Sequence, residues 1–549
     1  MMKKTLLFLF IILLVLSIGA VSATNETDTS TSDIPHTDDI INENTKNNDI
    51  IILSNENAQK SMTELENTIK NNKNTTIFLT DDYQWTEQDA YLEHGIIIDK
   101  SIIIDGQGHK IDANHKMRIF QVTNNITFKN INFLNGWTAN TGFGGAVWNK
   151  EVKNITIINC TFTGNTASYG GAISNCNAIN CTFTDNNGTD GGVIYSCYAY
   201  PINVINCTFT NNHAERGGVI YSWYAYPINV INCIFTNNHA ERDGGAMHGG
   251  TTINCTFISN SASRGGALYH VDVEVNNCIF KNNTADVGGA IYANTIIWIN
   301  NPSYFIGNHA YHMGGAIYTN KFETDVKYAV FINNTVKSND DGGAIYINKK
   351  NHITFTQCYF ENNRCGDEGG AIYLDSIFSH LSLRYNIFVN NHAGDKGEII
   401  YNKGQYDDIK YNWYGINNSH FKNQMVKYLM FWPDEDYSDN NPVITKLYLN
   451  ETDKRNTYKL TLEFLLNNLT KLSDKLFLFN ALFNADNNAK INNYQRENNK
   501  ITSDIIFNDG FTNINATINN QILKLSHNSS INDKTMTELQ NTIKGLSVN

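Results

Sequence analysis

At 549 residues the chain exceeds one ordinary globular domain, and a single continuous core at this length requires an architecture that grows by repetition. The net charge is −12 with only 17% charged residues. So sparse and acidic a surface excludes nucleic acid as partner, because phosphate binding requires clustered Lys and Arg.

Lys3 and Lys4 precede an apolar run over residues 6–16, and Val21, Ser22 and Ala23 offer small residues for cleavage. Residues 1–23 therefore read as a secretory signal peptide, with an uncleaved membrane anchor as the alternative. On the signal reading the mature chain has no transmembrane span and is secreted or extracellular, at the cell surface. Residues 24–57, rich in Asn, Thr, Asp and Ser, read as a polar flexible spacer. SMTELENTIK then places Ser61 and Glu64 at capping-box spacing, with Met62, Leu65 and Ile69 on one helical face. A short helix there can cover the open end of a following sheet, whose bare strand edges otherwise invite aggregation.

From here the chain repeats itself. VIYSCYAYPINVINCTFTNNHAERGG (residues 193–218) is followed at once by VIYSWYAYPINVINCIFTNNHAERDGG, and looser copies surround the pair. GGA or GGV triplets start at Gly144, Gly170, Gly191, Gly217, Gly244, Gly265, Gly288, Gly314, Gly342 and Gly369, spaced 21 to 28 residues apart. A fixed period of this size means stacked units that cannot bury a core alone. Each unit carries an INCTF-like strand ending in F-x-x-N, as at Phe162, Phe209 and Phe305, with the glycine triplet eight or nine residues beyond the Phe. β-Branched residues alternating with polar ones and cut by Asn and Gly turns predict two or three short strands per unit.

Alternation sorts the faces. In INCTF the Ile, Cys and Phe are expected to point inward together. In GGAIY the fourth position is always aliphatic and is expected inward, and the fifth outward. Ala or Val two residues before the fifth is expected to share that outward face.

The pairing of F-x-x-N with GGA(I/L/V) resembles the repeats of the polymorphic membrane protein family, and more closely the Asn/Thr-rich adhesin-like surface proteins of methanogenic archaea. The resemblance covers roughly residues 60–530. It implies an all-β chain, a right-handed parallel β-helix (a pectate-lyase-like solenoid) over 58–405, followed by a small Ig-like β-sandwich, and a role in surface attachment. IIIDGQGHKIDAN (from Ile102) resembles the first coil of such helices, and YNWYG (from Tyr411) their closing tail. Residues 406–441 read as closing segment and linker, with Tyr428, Phe431, Trp432 and Pro433 available to plug the last coil. Strands separated by Asn-rich turns over 442–528 suit the sandwich. Residues 529–549 contain TMTELQNTIK, nearly the earlier capping helix again. They read as the start of a truncated further repeat unit, with a reused terminal helix as the alternative.

The candidate chemistry is spread over the repeats. Cys160, Cys181, Cys207, Cys233, Cys255, Cys278 and Cys358 share one position where Ser303, Ala329 and Asn386 also occur, the mark of a buried small residue. No zinc-type Cys/His spacing and no cofactor motif is present. The histidines of the NHA triplets (His213, His239, His309 and His392) read as surface turn variants. The carboxylates Asp190, Glu215, Glu241, Asp286, Asp341 and Glu368 are distributed, and Asp272 with Glu274 near Arg264 is the nearest approach to one acidic site. An enzyme would cluster its acid and base once, so the chain reads as non-catalytic. The leading function is an adhesin-like protein attaching to cell-surface glycans or to proteins of other cells. A β-helix polysaccharide lyase or glycosidase is the rival, and a purely structural envelope protein the third reading. The candidate binding residues are the fifth-position aromatics Tyr195, Tyr221, Tyr269, Tyr292, Tyr318, Tyr346 and Tyr373, with Tyr198, Trp223 and Tyr224 available to widen the strip at the duplicated coils. They are expected to form an outward strip suited to sugar rings, or else to stabilise the rod by stacking.

Overall fold

The structure, a computed structural model, describes residues 59–528 apart from several internal stretches, the longest being 467–480. The expected leader (1–23), the spacer (24–57) and the segment 529–549 lie outside the described residues. So do Tyr198, Tyr224, Asp272 and the group Tyr428, Phe431, Trp432 and Pro433.

The coil of residues 202–222 shows the plan. Strands Ile202–Ile205, Thr208–Thr210, His213–Arg216 and Ile220–Ser222 follow one another, each in a different sheet. Each pairs in parallel with its counterpart one coil on: Ile202 with Ile228, Thr208 with Ile234, His213 with His239, Ile220 with Met247. In chain order round a coil, the four sheets contain 14, 14, 8 and 15 strands. The result is a parallel β-solenoid of right-handed type with about 13 turns. The third sheet, from Thr166 to Val336, was not anticipated as a strand. Its members carry a single small inward residue, such as Ala214, Ala240 or Ala310, all buried.

Each corner has a chemical cause. Between the first and second sheets stands an Asn in left-handed conformation (Asn206, φ 54°), a state its short polar side chain tolerates. This corner corrects the expected facing of INCTF. Alternation holds along a strand but not across a left-handed residue, so Ile205 is only half-buried, while Val204, Cys207 and Phe209 point inward. Between the second and third sheets sits the Asn of F-x-x-N. Asn260 is fully buried; its Nδ2 donates to Phe235 O at 3.1 Å and to Asn283 Oδ1 at 3.0 Å, and its own Oδ1 accepts from the backbone and side chain of Asn238 at 3.0 Å. The same bonds recur from Asn165 to Asn391 and satisfy backbone groups that the turn would leave buried and unpaired. Between the third and fourth sheets is the glycine pair. Gly288 has φ +66°, and a Cβ on Gly289 would meet Gly315 O at 2.1 Å.

Inside, one Phe per coil stacks on the next from Phe133 to Phe388, with consecutive centroids 4.6 Å to 5.0 Å apart, and Tyr414 extends the column at 5.6 Å. Each ring contributes about 2 kcal/mol of burial. The cysteine position forms a second column, with Cys207 and Cys233 each 1% exposed. The leading end is closed by helix α1, Met62–Asn71, which has both halves of the Ser61/Glu64 capping box and buries Met62, Leu65 and Ile69 in the solenoid core.

The last seven strands are β1 (Val443–Glu451), β2 (Thr457–Leu466), β3 (Ala481–Ala485), β4 (Ala489–Glu497), β5 (Lys500–Phe507), β6 (Phe511–Ile518) and β7 (Gln521–Asn528). They form two antiparallel sheets, ordered β1-β2-β5-β4 and β3-β6-β7. Leu460, Leu462 and Ile505 from one sheet share a core with Ile514, Ala516 and Leu523 from the other. That core continues onto Val330, Tyr359, Ile387, Val389 and Trp413, the outer face of the solenoid's second sheet at its last coils.

Candidate functional site

The glycine corner folds the end of each third-sheet strand over the outer face of the fourth sheet, and this governs the tyrosines. They stack as expected: Tyr269 on Tyr292 at 5.2 Å, then Tyr318 at 4.7 Å, Tyr346 at 5.4 Å, Tyr373 at 4.9 Å and Tyr401 at 5.6 Å. Tyr195 and Tyr221 form an earlier pair at 5.8 Å, joined to Tyr269 through His248. The expected open strip is not what the structure has. Tyr292 is 9% exposed, Tyr318 and Tyr346 6%, Tyr373 3%, and Tyr195 and Tyr221 5%. Only Tyr269, half-buried, and Trp223, 37% exposed, present much surface. The rings spend their faces on one another and are covered from the side by Val287 and Met313 and by two guanidinium groups. Arg216 lies 5.0 Å from the Tyr221 ring, and Arg264 lies 4.9 Å and 5.6 Å from those of Tyr269 and Tyr292. The Ala or Val expected beside the tyrosines points the other way. It occupies the turn rather than the strand, and Ala290, Ala316 and Val193 are fully buried in the solenoid core.

The two arginines are held by carboxylates one coil back. Arg216 Nε and Nη2 each donate to Asp190 at 2.7 Å, and Arg264 makes the same bidentate pair with Asp243 at 2.7 Å and 3.0 Å. Arg264 thus belongs to Asp243 and not to the anticipated Asp272/Glu274 site; the Glu274 side chain is exposed. Burial holds the Asp190 carboxyl above its ordinary range even against Arg216. The NHA histidines are not turn residues throughout: His213, His239 and His309 begin third-sheet strands. His248, between two tyrosines, is pushed down to about 3 by burial and stays neutral.

Two of the six distributed carboxylates are brought together. Asp341 and Glu368 precede the glycine corners of successive coils, and Asp341 Oδ1 accepts a hydrogen bond from Glu368 N at 3.0 Å. Burial lifts Asp341 to about 6, and burial with the charges of Asp341 and Asp367 lifts Glu368 to about 7. Asp375 lies beside them, tied to Lys403 at 2.6 Å and to the Tyr373 hydroxyl at 3.5 Å. Sequence reading missed this pair because the spacing of the two residues is that of every other coil. Among the described residues no group of three or more His, Cys, Asp or Glu side chains is arranged to hold a metal ion. No helix among them is long and apolar enough to cross a membrane.

Residues 60–195 match the family described as a putative pectate lyase-like adhesive domain. Residues 206–222, 277–294, 302–320 and 357–375 match the Chlamydia polymorphic membrane protein repeat. Over these segments the chain is similar to an adhesive-domain family and to a membrane-protein repeat family. No curated protein matches it. Among solved structures, a point mutant of the tailspike protein of E. coli bacteriophage HK620 in complex with a pentasaccharide is similar at 11% identity and a TM-score of 0.26, over 84% of this chain and 87% of that one.

Proposed function

We propose that the protein is a secreted or cell-surface adhesin whose β-solenoid attaches to glycans or proteins of other cells without catalysis. The observation that carries this reading is the match of residues 60–195 to the adhesive domain, continued by repeats of a surface-protein family. The C-terminal strand order β1-β2-β5-β4 over β3-β6-β7 is that of a seven-stranded immunoglobulin constant-type sandwich, ABED over CFG, and supports an Ig-like module behind the solenoid. Together these features fit the adhesin-like surface proteins of methanogenic archaea. The test is to apply fluorescently tagged residues 24–549 to a glycan array and to intact cells. Saturable retention on either supports the adhesin, and retention on neither favours a spacer or stiffening element of the envelope.

The Asp341/Glu368 pair favours a second reading, a polysaccharide lyase or glycosidase. Two neighbouring carboxyls with values near 6 and 7 are in the range a general acid and base require. Release of reducing ends from polysaccharide, abolished by Glu368→Gln, would establish it.

A further inference from the structure

Along the outer face of the third sheet, the third residue of each strand stacks coil on coil, Glu215, Glu241, Ser263, Asp286 and Tyr311, and Lys337 follows directly after the last short strand, Thr335–Val336. On the earlier coils the charges answer one another, as Glu215 does Arg242 at 3.1 Å. The pattern changes at the last three. The strand His309–Met313 has one residue more than its neighbour Thr284–Val287, and the register shifts between Ala285 and Val287. A bulge of this kind re-aims side chains. Here it sets Tyr311 and His312 together opposite Asp286, and the regular sheet ends one coil on at Val336. Asp286, Tyr311, His312 and Lys337 line a surface concavity of about 480 Å³.

We infer that this concavity is a binding subsite for a neutral pyranose, with Tyr311 as its platform. Tyr311 is 42% exposed, unlike the buried tyrosines of the fourth sheet. Its ring is braced edge-on by His309 at 5.2 Å and 74°, and Lys337 Nζ lies 5.1 Å from its centroid. A braced flat ring suits the C–H face of a sugar. Asp286 and Lys337 have no ion-pair partner among the described residues and stand on either side of the tyrosine. Two coil steps separate them by about 10 Å. One offers only acceptors and the other only donors, the complement of hydroxyls at opposite edges of a sugar ring. His312 is steadied by Asp340 at 3.0 Å and supplies a further ring nitrogen. The volume falls in the ordinary range for small-molecule sites, roughly 300–1,000 Å³, and admits one or two sugar residues. Asp286, Asp340 and the net charge of −12 oppose an acidic sugar. The strand His239–Asp243 carries the same extra residue, but Glu241 and Arg242 stand there where Tyr311 and His312 stand here, so among the described residues the aromatic arrangement belongs to the later coil.

This inference rests on the adhesin reading and names its ligand class. The test uses residues 24–549 with lactose, cellobiose, mannobiose and N,N′-diacetylchitobiose as probes, and with a sialylated and a uronic-acid disaccharide beside them, followed by saturation-transfer NMR. At least one neutral disaccharide is expected to bind through one sugar face. Tyr311→Ala should weaken it at least tenfold, and Lys337→Gln or Asp286→Asn about threefold, with the melting temperature unchanged because all three side chains are exposed. Binding of acidic probes only, of no probe, or undiminished binding by Tyr311→Ala would overturn the site. Cell retention by the same proteins separates the two ideas: a parent that holds cells but no disaccharide keeps the adhesin and loses this subsite.

Discussion

Single residues in this molecule are worth what their column makes of them. Asn260 and Asn254 are both asparagines of one coil, yet one ties buried backbone groups of the preceding coil to the Asn283 side chain of the next, and the other lies on the outside with its Nδ2 on Asn232 at 3.1 Å. Asn260→Ala strands several buried donors and acceptors and should cost about 3 kcal/mol, against about 1 kcal/mol for Asn254→Ala, measured by chemical denaturation. Asp341 acts in the opposite sense. Its folded value of about 6 lies above its ordinary 3.8, so the folded state keeps a proton that the unfolded state has released. The stability this contributes is fully present below pH 3.8 and is lost as pH rises through about 6; Glu368 behaves likewise between 4.5 and about 7. Asp367, Asp340 and Lys403 face the pair and set the residual charge. Asp341→Asn retains an oxygen for Glu368 N and removes the titration. The variant should melt higher than the parent at pH 7.5, with the gap closing near pH 4. Equal melting temperatures at pH 7.5 would mean that the carboxylate is not strained by burial.

At the scale of the element, the fourth sheet's tyrosines form a second, smaller core between two sheets. Changing Tyr292, Tyr318 and Tyr346 together to Thr should therefore destabilise the solenoid by about 2 kcal/mol per ring, read by denaturant titration. A triple variant as stable as the parent would show that the column adds nothing to the rod. The repeats made the inward Phe column, the Cys column, the capping helix and the coil period legible, because each is a periodic apolar signal or a local capping rule. What escaped was governed by corners. Ile205 faces outward because Asn206 turns the chain through a left-handed state, and Ala290 faces inward because it belongs to the turn and not to the strand. The third sheet escaped because NHAER offers one alanine as its whole inward face, too little for a hydrophobic period to register. The Tyr column was placed on the right side of its sheet, but exposure depends on what the next corner folds over it. Tyr311 gave no signal in the repeat, since its site depends on one extra residue that only some coils carry and on which side chains stand there.

Across the whole described molecule, the solenoid changes its outer face where the sandwich meets it. One register position of the second sheet reads Thr161, Thr182, Thr208, Ile234, Thr256, Ile279, Tyr304, Val330, Tyr359 and Ile387 from coil to coil, and a neighbouring one ends in Val389 where earlier coils have Thr163, Thr184 and Thr210. Apart from the exposed Ile234, the early coils carry threonine, large apolar side chains take over toward the sandwich core, and Val330, Ile387 and Val389 are 6%, 1% and 1% exposed against it. The repeat therefore supplies its own control. Val330→Thr, Ile387→Thr and Val389→Thr together restore the residue type that earlier coils carry at these positions without harm, so the solenoid should keep its melting transition. The docking surface loses about 4 kcal/mol of apolar burial. Amides of β2 and β6 around Leu460 and Ile514 should then exchange faster with deuterium, while those of the Phe column remain protected. If exchange in the sandwich is unchanged, its attachment does not depend on this face; if the solenoid's protection falls as well, the two parts fold as one cooperative unit.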